Sequence, residues 1–128
     1  MGCCWSDDSI KNIKNDEDKI IIDIMEINHG MSSNVFKSMT LESDMLICKK
    51  VKKRYKSLAM KEIEILKLLK QENSNKFPIY FSSKIFNQTI NIYTLDVGGK
   101  DLFRYINENR TLLSCEIKLI ARQMLNCI

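Results

Sequence analysis

The tightest constraint on this chain is how little sequence separates its first three apolar runs. IIIDIMEI at 20–27 is rich in β-branched residues, VFKSM follows at 35–39, and MLICKKV at 45–51. The turn segments between them are NHGMSS and TLESD. Each run has strand character. A parallel pair needs a crossover of a dozen or more residues, so connections this short demand an antiparallel meander.

The pattern then changes period. In SLAMKEIEILKLLKQ, Ala59, Ile63, Leu66 and Leu69 recur at helical spacing and form one apolar face. NSNKFP, with the only proline, Pro78, ends that helix. IYFSSKIF and TINIYTLDV read as two further strands joined near Asn87 and Gln88, and GGK breaks them. Asp101 is placed to cap a short helix, LFRYI, and Ser114 to cap a longer one. In the longer helix Ile117, Ile120, Ala121, Met124 and Ile128 form an apolar stripe, and no stop signal precedes Ile128. The predicted fold class is α+β: a five-stranded antiparallel sheet, one helix between strands three and four, and two helices after the sheet.

Composition bounds the function. The chain has 128 residues, 45 % apolar and 28 % charged, so it suits one domain or part of one and is not expected to be disordered throughout. A net charge of +4 is too small to argue for nucleic acid. No run is long and apolar enough to cross a bilayer, and the N-terminus has no apolar secretory core. The five cysteines, Cys3, Cys4, Cys48, Cys115 and Cys127, have no metal-ligand spacing, and His29 is the only histidine. Cys48, Cys115 and Cys127 read as reduced, partly buried thiols of a cytosolic protein.

The first residues, MGCCWS, carry an N-myristoylation pattern: Gly2 after the initiator Met, and Ser6 at the hydroxyl position. One myristoyl chain holds a membrane weakly, with K on the order of 10⁴ M⁻¹, so a second anchor is needed. Cys3 and Cys4 adjoin the first lipid and can take palmitate. The expected location is the cytoplasmic face of a membrane, or the cytoplasm without acylation. DDSIKNIKNDED, at 7–18, reads as a disordered tether. The basic run KKVKKRYK at 49–56 reads as a solvated edge and loop that can add attraction to anionic lipid.

The same order of elements, with the motifs on it, resembles the eukaryotic protein kinase family from about Lys19 to Ile128: the small lobe, then the first two helices of the large lobe. INHGMSSNV at 27–35 resembles the family's G-x-G-x-x-G-x-V loop. Val35 fits the last position and Gly30 the second glycine, while Asn28 and Ser33 replace the first and third. LICKKV resembles V-A-I-K, with Lys49 as the phosphate-pairing lysine and Lys50 as the alternative. MKEIEIL resembles the helix segment whose glutamate pairs with that lysine, which implies Glu62, with Glu64 two residues away on another face. Leu66 falls at a hydrophobic spine position of the family. YTLDVGGKDLFRYI is similar to the family's hinge. There Asp96 and Val97 would offer backbone groups to adenine, Thr94 or Leu95 would be the gatekeeper, and Asp101 would lie near the ribose. SCEIKLIARQML looks like the helix that leads to the catalytic loop.

The resemblance implies ATP as ligand, as Mg-ATP in a complete kinase, and three segments: anchor and tether at 1–18, kinase-like lobe at 19–97, and hinge with incomplete large lobe at 98–128. Neither H-R-D-x-x-x-x-N nor D-F-G occurs in the sequence, and DVG at 96–98 precedes any catalytic loop. Those motifs supply the catalytic base and the magnesium ligands. The chain is therefore expected not to transfer phosphate alone, and no catalytic residue is assigned. Lys49 and Glu62 form at most a supporting ion pair. Three functions stay open at this point: the front of a membrane-anchored Ser/Thr-type kinase, a non-catalytic, lipid-anchored kinase-like (pseudokinase) module that docks a partner through the helix of 57–71 or by having it cover the 114–128 helix, or an unrelated α+β adaptor.

Overall fold

The structure, a computed structural model, describes residues 19–72, 76–99, 101–109 and 112–127. Gly2, Cys3, Cys4, the 7–18 tether and Ile128 lie outside the described residues. Five strands, β1 (Ile21–His29), β2 (Ser33–Thr40), β3 (Met45–Lys52), β4 (Tyr80–Ile85) and β5 (Thr89–Leu95), form one antiparallel sheet in the order β1-β2-β3-β5-β4. Helix α1 (Lys56–Gln71) joins β3 to β4, while α2 (Leu102–Asn109) and α3 (Ser114–Asn126) follow the sheet. The expected α+β class and antiparallel meander are both present.

The sheet buries residues on both faces. On one face Val51, Ile90, Ile92 and Tyr80 pack under Ala59, Ile63 and Leu66 of α1. These are three of the four residues in the helix stripe; Leu69, the fourth, is half-buried. Each large apolar side chain fully buried in this way stabilises the fold by about 1.5–3 kcal/mol. On the other face Leu46, Cys48, Phe81 and Tyr93 form a second core, with Ile21, Phe36 and Leu95 against it. Among the described residues no helix covers this side. The sheet curls over it, as right-handed twist favours, until the start of β1 meets β4. There the Lys84 ammonium donates to the Lys19 carbonyl at 2.7 Å, and the Lys19 ammonium lies 5.3 Å from the centre of the Phe81 ring.

Two bulges in β1 make that curl possible. The β1–β2 register slips between Asp23 and Met25 and again between Glu26 and Asn28, leaving Ile24 and Ile27 as extra residues. A bulge bends its strand and increases twist. It also places Asp23, Glu26 and His29 on one face, opposite Ser38, Phe36 and Asn34. Asp23 accepts the Ser38 hydroxyl at 2.8 Å and forms an ion pair with Lys50.

Three local expectations are corrected. Ser114 does not cap α3. It is the first helical residue, and Leu113 holds the cap position. The helix start is satisfied instead by Glu116, whose carboxylate accepts the Leu113 N–H at 3.2 Å. The helix also stops at Asn126, with Cys127 in a turn. Lys76 reaches the carbonyl of Asn126 at 2.9 Å, a cation at the negative end of the helix dipole. Cys115 is exposed rather than partly buried, because α3 buries none of its residues; Cys48 is fully buried.

Candidate functional site

Strand register decides which side chains can meet. In an antiparallel ladder, directly paired residues share a face of the sheet. Val35 pairs with Lys49, Lys49 with Ile92, and Ile47 with Thr94. Val35, Ile47, Lys49, Ile92 and Thr94 therefore line one face, the face that carries α1. Lys50 points the other way, to Asp23. Of the two lysines, only Lys49 reaches α1. Its ammonium donates to the Glu62 carboxylate at 2.9 Å. Glu64 is exposed on another side of α1. Leu95 packs on the far face, against Leu46, Phe81 and Tyr93, so of the two gatekeeper candidates only Thr94 shares the Lys49 face.

The Lys49–Glu62 pair is 38 % and 39 % exposed. At that exposure an ion pair contributes about 0–1 kcal/mol to stability. It orients two charges more than it holds the fold.

The β1–β2 connection is a tight hairpin. The Gly30 N–H donates to the Ser33 carbonyl at 2.9 Å, and Met31 and Ser32 form the tip. A Cβ on Gly30 would lie 2.8 Å from the Ser33 carbonyl oxygen. The turn itself therefore requires glycine there, and the retained glycine does not by itself point to a phosphate. The hairpin is fastened to the sheet by the Lys52 N–H, which donates to the Ser32 carbonyl at 3.0 Å. Asn28 is an exposed β1 residue paired with Val35, and Ser33 is the first residue of β2.

Between the hairpin and α1 lies a hollow of about 90 Å³ lined by Ser32, Ser33, Lys49, Tyr55, Leu58 and Glu62, with Val51 and Ala59 behind them. A second cavity, about 400 Å³, sits at the end of β5. Ile47, Phe77, Pro78, Thr94, Leu95, Asp96 and Val97 line it, together with Lys76. Sequence reading placed Lys49, Glu62, Thr94, Asp96 and Val97 in this region but missed Tyr55, Leu58, Phe77 and Pro78. The shortness of the KKRYK link was the available signal for the first two.

The residues that follow β5 have partners that sequence could not reveal. The Asp96 N–H donates to the Met45 carbonyl at 3.0 Å, and its carboxylate accepts the Gly98 N–H at 2.8 Å. The Asp96 amide is thus spent on the sheet. The Asp96 carbonyl and the Val97 N–H make no backbone–backbone bond among the described residues. Val97 is 90 % exposed. Gly98 and Gly99 have φ of 73° and 83°, left-handed conformations that glycine adopts without strain. Asp101 caps α2 through a 2.7 Å bond from the Arg104 N–H, so one of its carboxylate oxygens is committed to the helix.

A larger apolar trough, about 860 Å³, runs between α2 and α3 along Leu102, Tyr105, Leu119, Ile120 and Met124. Its lining includes neither the Lys49–Glu62 pair nor Asp96 and Val97. Among the described residues no group of three or more His, Cys, Asp or Glu could hold a metal ion.

Comparison with known proteins gives one kind of match. No protein-family model matches the chain, and no curated protein matches it by sequence. Among solved structures, the crystal structure of Rad53 residues 1–466 in complex with AMP-PNP is similar, with a TM-score of 0.69 and 20 % identity. The match covers 86 % of this chain and 29 % of that one, so this chain spans under a third of its structural neighbour. The five-stranded sheet with α1 has the fold of a kinase-like N-lobe.

Proposed function

We propose that this chain, on its kinase-like fold, is the nucleotide-binding portion of a membrane-anchored Ser/Thr-type protein kinase and does not transfer phosphate by itself. The observation that carries the reading is the Lys49–Glu62 pair, 2.9 Å apart and reached from a strand and a helix distant in sequence. An adenine nucleotide fits the residues present. Ile47, Thr94 and Val97 line the cavity and would offer apolar surface to a flat ring, the Asp96 carbonyl and Val97 N–H would bond its edge, and Lys49 would supply a positive charge towards phosphate. That the structural neighbour was crystallised with AMP-PNP supports the choice of ligand. When bound, a Mg-nucleotide would bring the transferable phosphoryl group. The chain's own residues position and screen it but supply no base, since the sequence has neither H-R-D nor D-F-G.

In this reading residues 1–18 anchor the protein through Gly2, Cys3 and Cys4, residues 19–97 form the nucleotide-binding lobe, and residues 98–128 begin a second lobe. Thermal unfolding with and without Mg-ATP tests ligand binding. The nucleotide should raise Tm, and Lys49→Ala should reduce the rise; no shift for the unaltered protein would refute binding. Membrane fractionation of Gly2→Ala tests the anchor: the variant should move to the soluble fraction, and unchanged membrane association would exclude acylation at Gly2 as its cause.

The apolar trough between α2 and α3 favours a second reading, a non-catalytic kinase-like module that docks a protein partner there. The two readings differ in whether the trough or the cleft is the functional surface. Mutating Leu119 and Met124 to Ser would abolish partner capture only in the second.

A further inference from the structure

We propose that the cleft reads its ligand by the purine end and leaves the phosphates largely in solvent, so that adenosine, ADP and ATP bind with similar affinity. This rests on the nucleotide-binding reading above and adds a ligand preference to it.

The two cavities differ in size for a reason that begins in the sequence. Only a single 3-10 turn, Lys53–Tyr55, separates β3 from α1. With so short a link the first turn of α1 is drawn up against the hairpin. Tyr55 packs on the core formed by Val51, Ala59 and Ile63, and Leu58 closes the side. The Lys52-to-Ser32 bond holds the hairpin tip down on the same strand end. What remains beside Lys49 is about 90 Å³. That is room for about three waters, and a triphosphate carries more oxygens than three.

The hinge cavity, at about 400 Å³, has space for a heteroaromatic ring system. Phosphates extending from such a ring must pass outside the hollow. There they meet a Lys49 charge already paired with Glu62 and more than a third exposed. A screened charge of that kind adds a factor of about five at most to affinity.

The test is isothermal titration of the full chain with adenosine, ADP and ATP, each in Mg²⁺. Dissociation constants within about fivefold of one another are expected, and Lys49→Ala should weaken ATP by no more than about fivefold relative to adenosine. ATP binding more than about tenfold tighter than adenosine, with the excess lost in Lys49→Ala, would overturn the proposal while leaving nucleotide binding intact. No binding of any of the three would overturn both. Leu58→Ala opens the hollow without removing a core residue, since Leu58 is 61 % exposed. It should raise the affinity for ATP relative to adenosine; an unchanged ratio would show that the hollow is not what limits phosphate contact. Tyr55→Ala should move the ratio in the same direction and further.

Discussion

At the residue scale, two lysine–carboxylate pairs sit on adjacent β3 positions and have different weights. Lys49 and Glu62 are both more than a third exposed, and among the described residues neither side chain bonds a buried group. Asp23 pairs with Lys50 and also satisfies the hydroxyl of Ser38, which is 0 % exposed. Asp23→Ala leaves that hydroxyl without its acceptor, at a cost of about 1–3 kcal/mol. Glu62→Ala should cost about 1 kcal/mol or less. Chemical denaturation of the two variants checks the order, and equal losses would contradict it.

Cys48 gives a second residue-scale expectation. Burial, reinforced by the Asp23 charge, pushes its thiol up to about 12 from 9.0, and burial likewise pushes Tyr93 up to about 12 from 10.0. Both groups hold their protons more tightly in the folded state. Their contribution is complete below pH 9 and is lost as pH rises from about 9 towards 12, where the unfolded chain has released protons that the folded chain still holds. Stability should therefore fall over that window, less steeply in Cys48→Ala. At pH 8 iodoacetamide should modify exposed Cys115 and leave Cys48 intact until the protein is unfolded.

At the scale of elements, the β1–β2 hairpin depends on one glycine. Gly30→Ala brings a Cβ against a backbone oxygen that belongs to the same turn, and the strain should cost about 1–3 kcal/mol with no nucleotide present. Urea unfolding of the ligand-free variant decides this, and an unchanged midpoint would mean the hairpin relaxes freely. The turn is also where sequence reading reached its limit. Strand and helix positions were legible because alternation and the Ala59–Ile63–Leu66 stripe are local patterns. The bulges at Ile24 and Ile27 were not, because IIIDIMEI is apolar at nearly every position and gives no face to count from. The choice between Thr94 and Leu95 was not legible either, since it depends on cross-strand pairing with Ile47 and Leu46. Nor could sequence assign the Asp96 amide, which is taken by Met45 from another strand. Candidate residues were thus readable, while the space and free bonds around them required the fold.

At the scale of the whole molecule, stability should be uneven. The sheet and α1 share two cores, whereas α3 has no buried residue and α2 exposes Leu102, Phe103, Tyr105 and Ile106. Regions with little burial open at low free energy. Amide hydrogen exchange should be slow in 46–51, 59–66 and 90–93 and fast across α2 and α3. Uniform protection would show that the helical pair is held by contacts stronger than its burial implies. The closure of the curled sheet has a mechanical meaning as well. β1 runs from the Lys19–Lys84 contact along β2, so tension applied ahead of Lys19 and directed along the strand acts, once that single bond is broken, on the whole β1–β2 ladder. Its hydrogen bonds are then loaded together, in shear, and do not open one at a time. A domain tethered by its head would resist being peeled from its first strand.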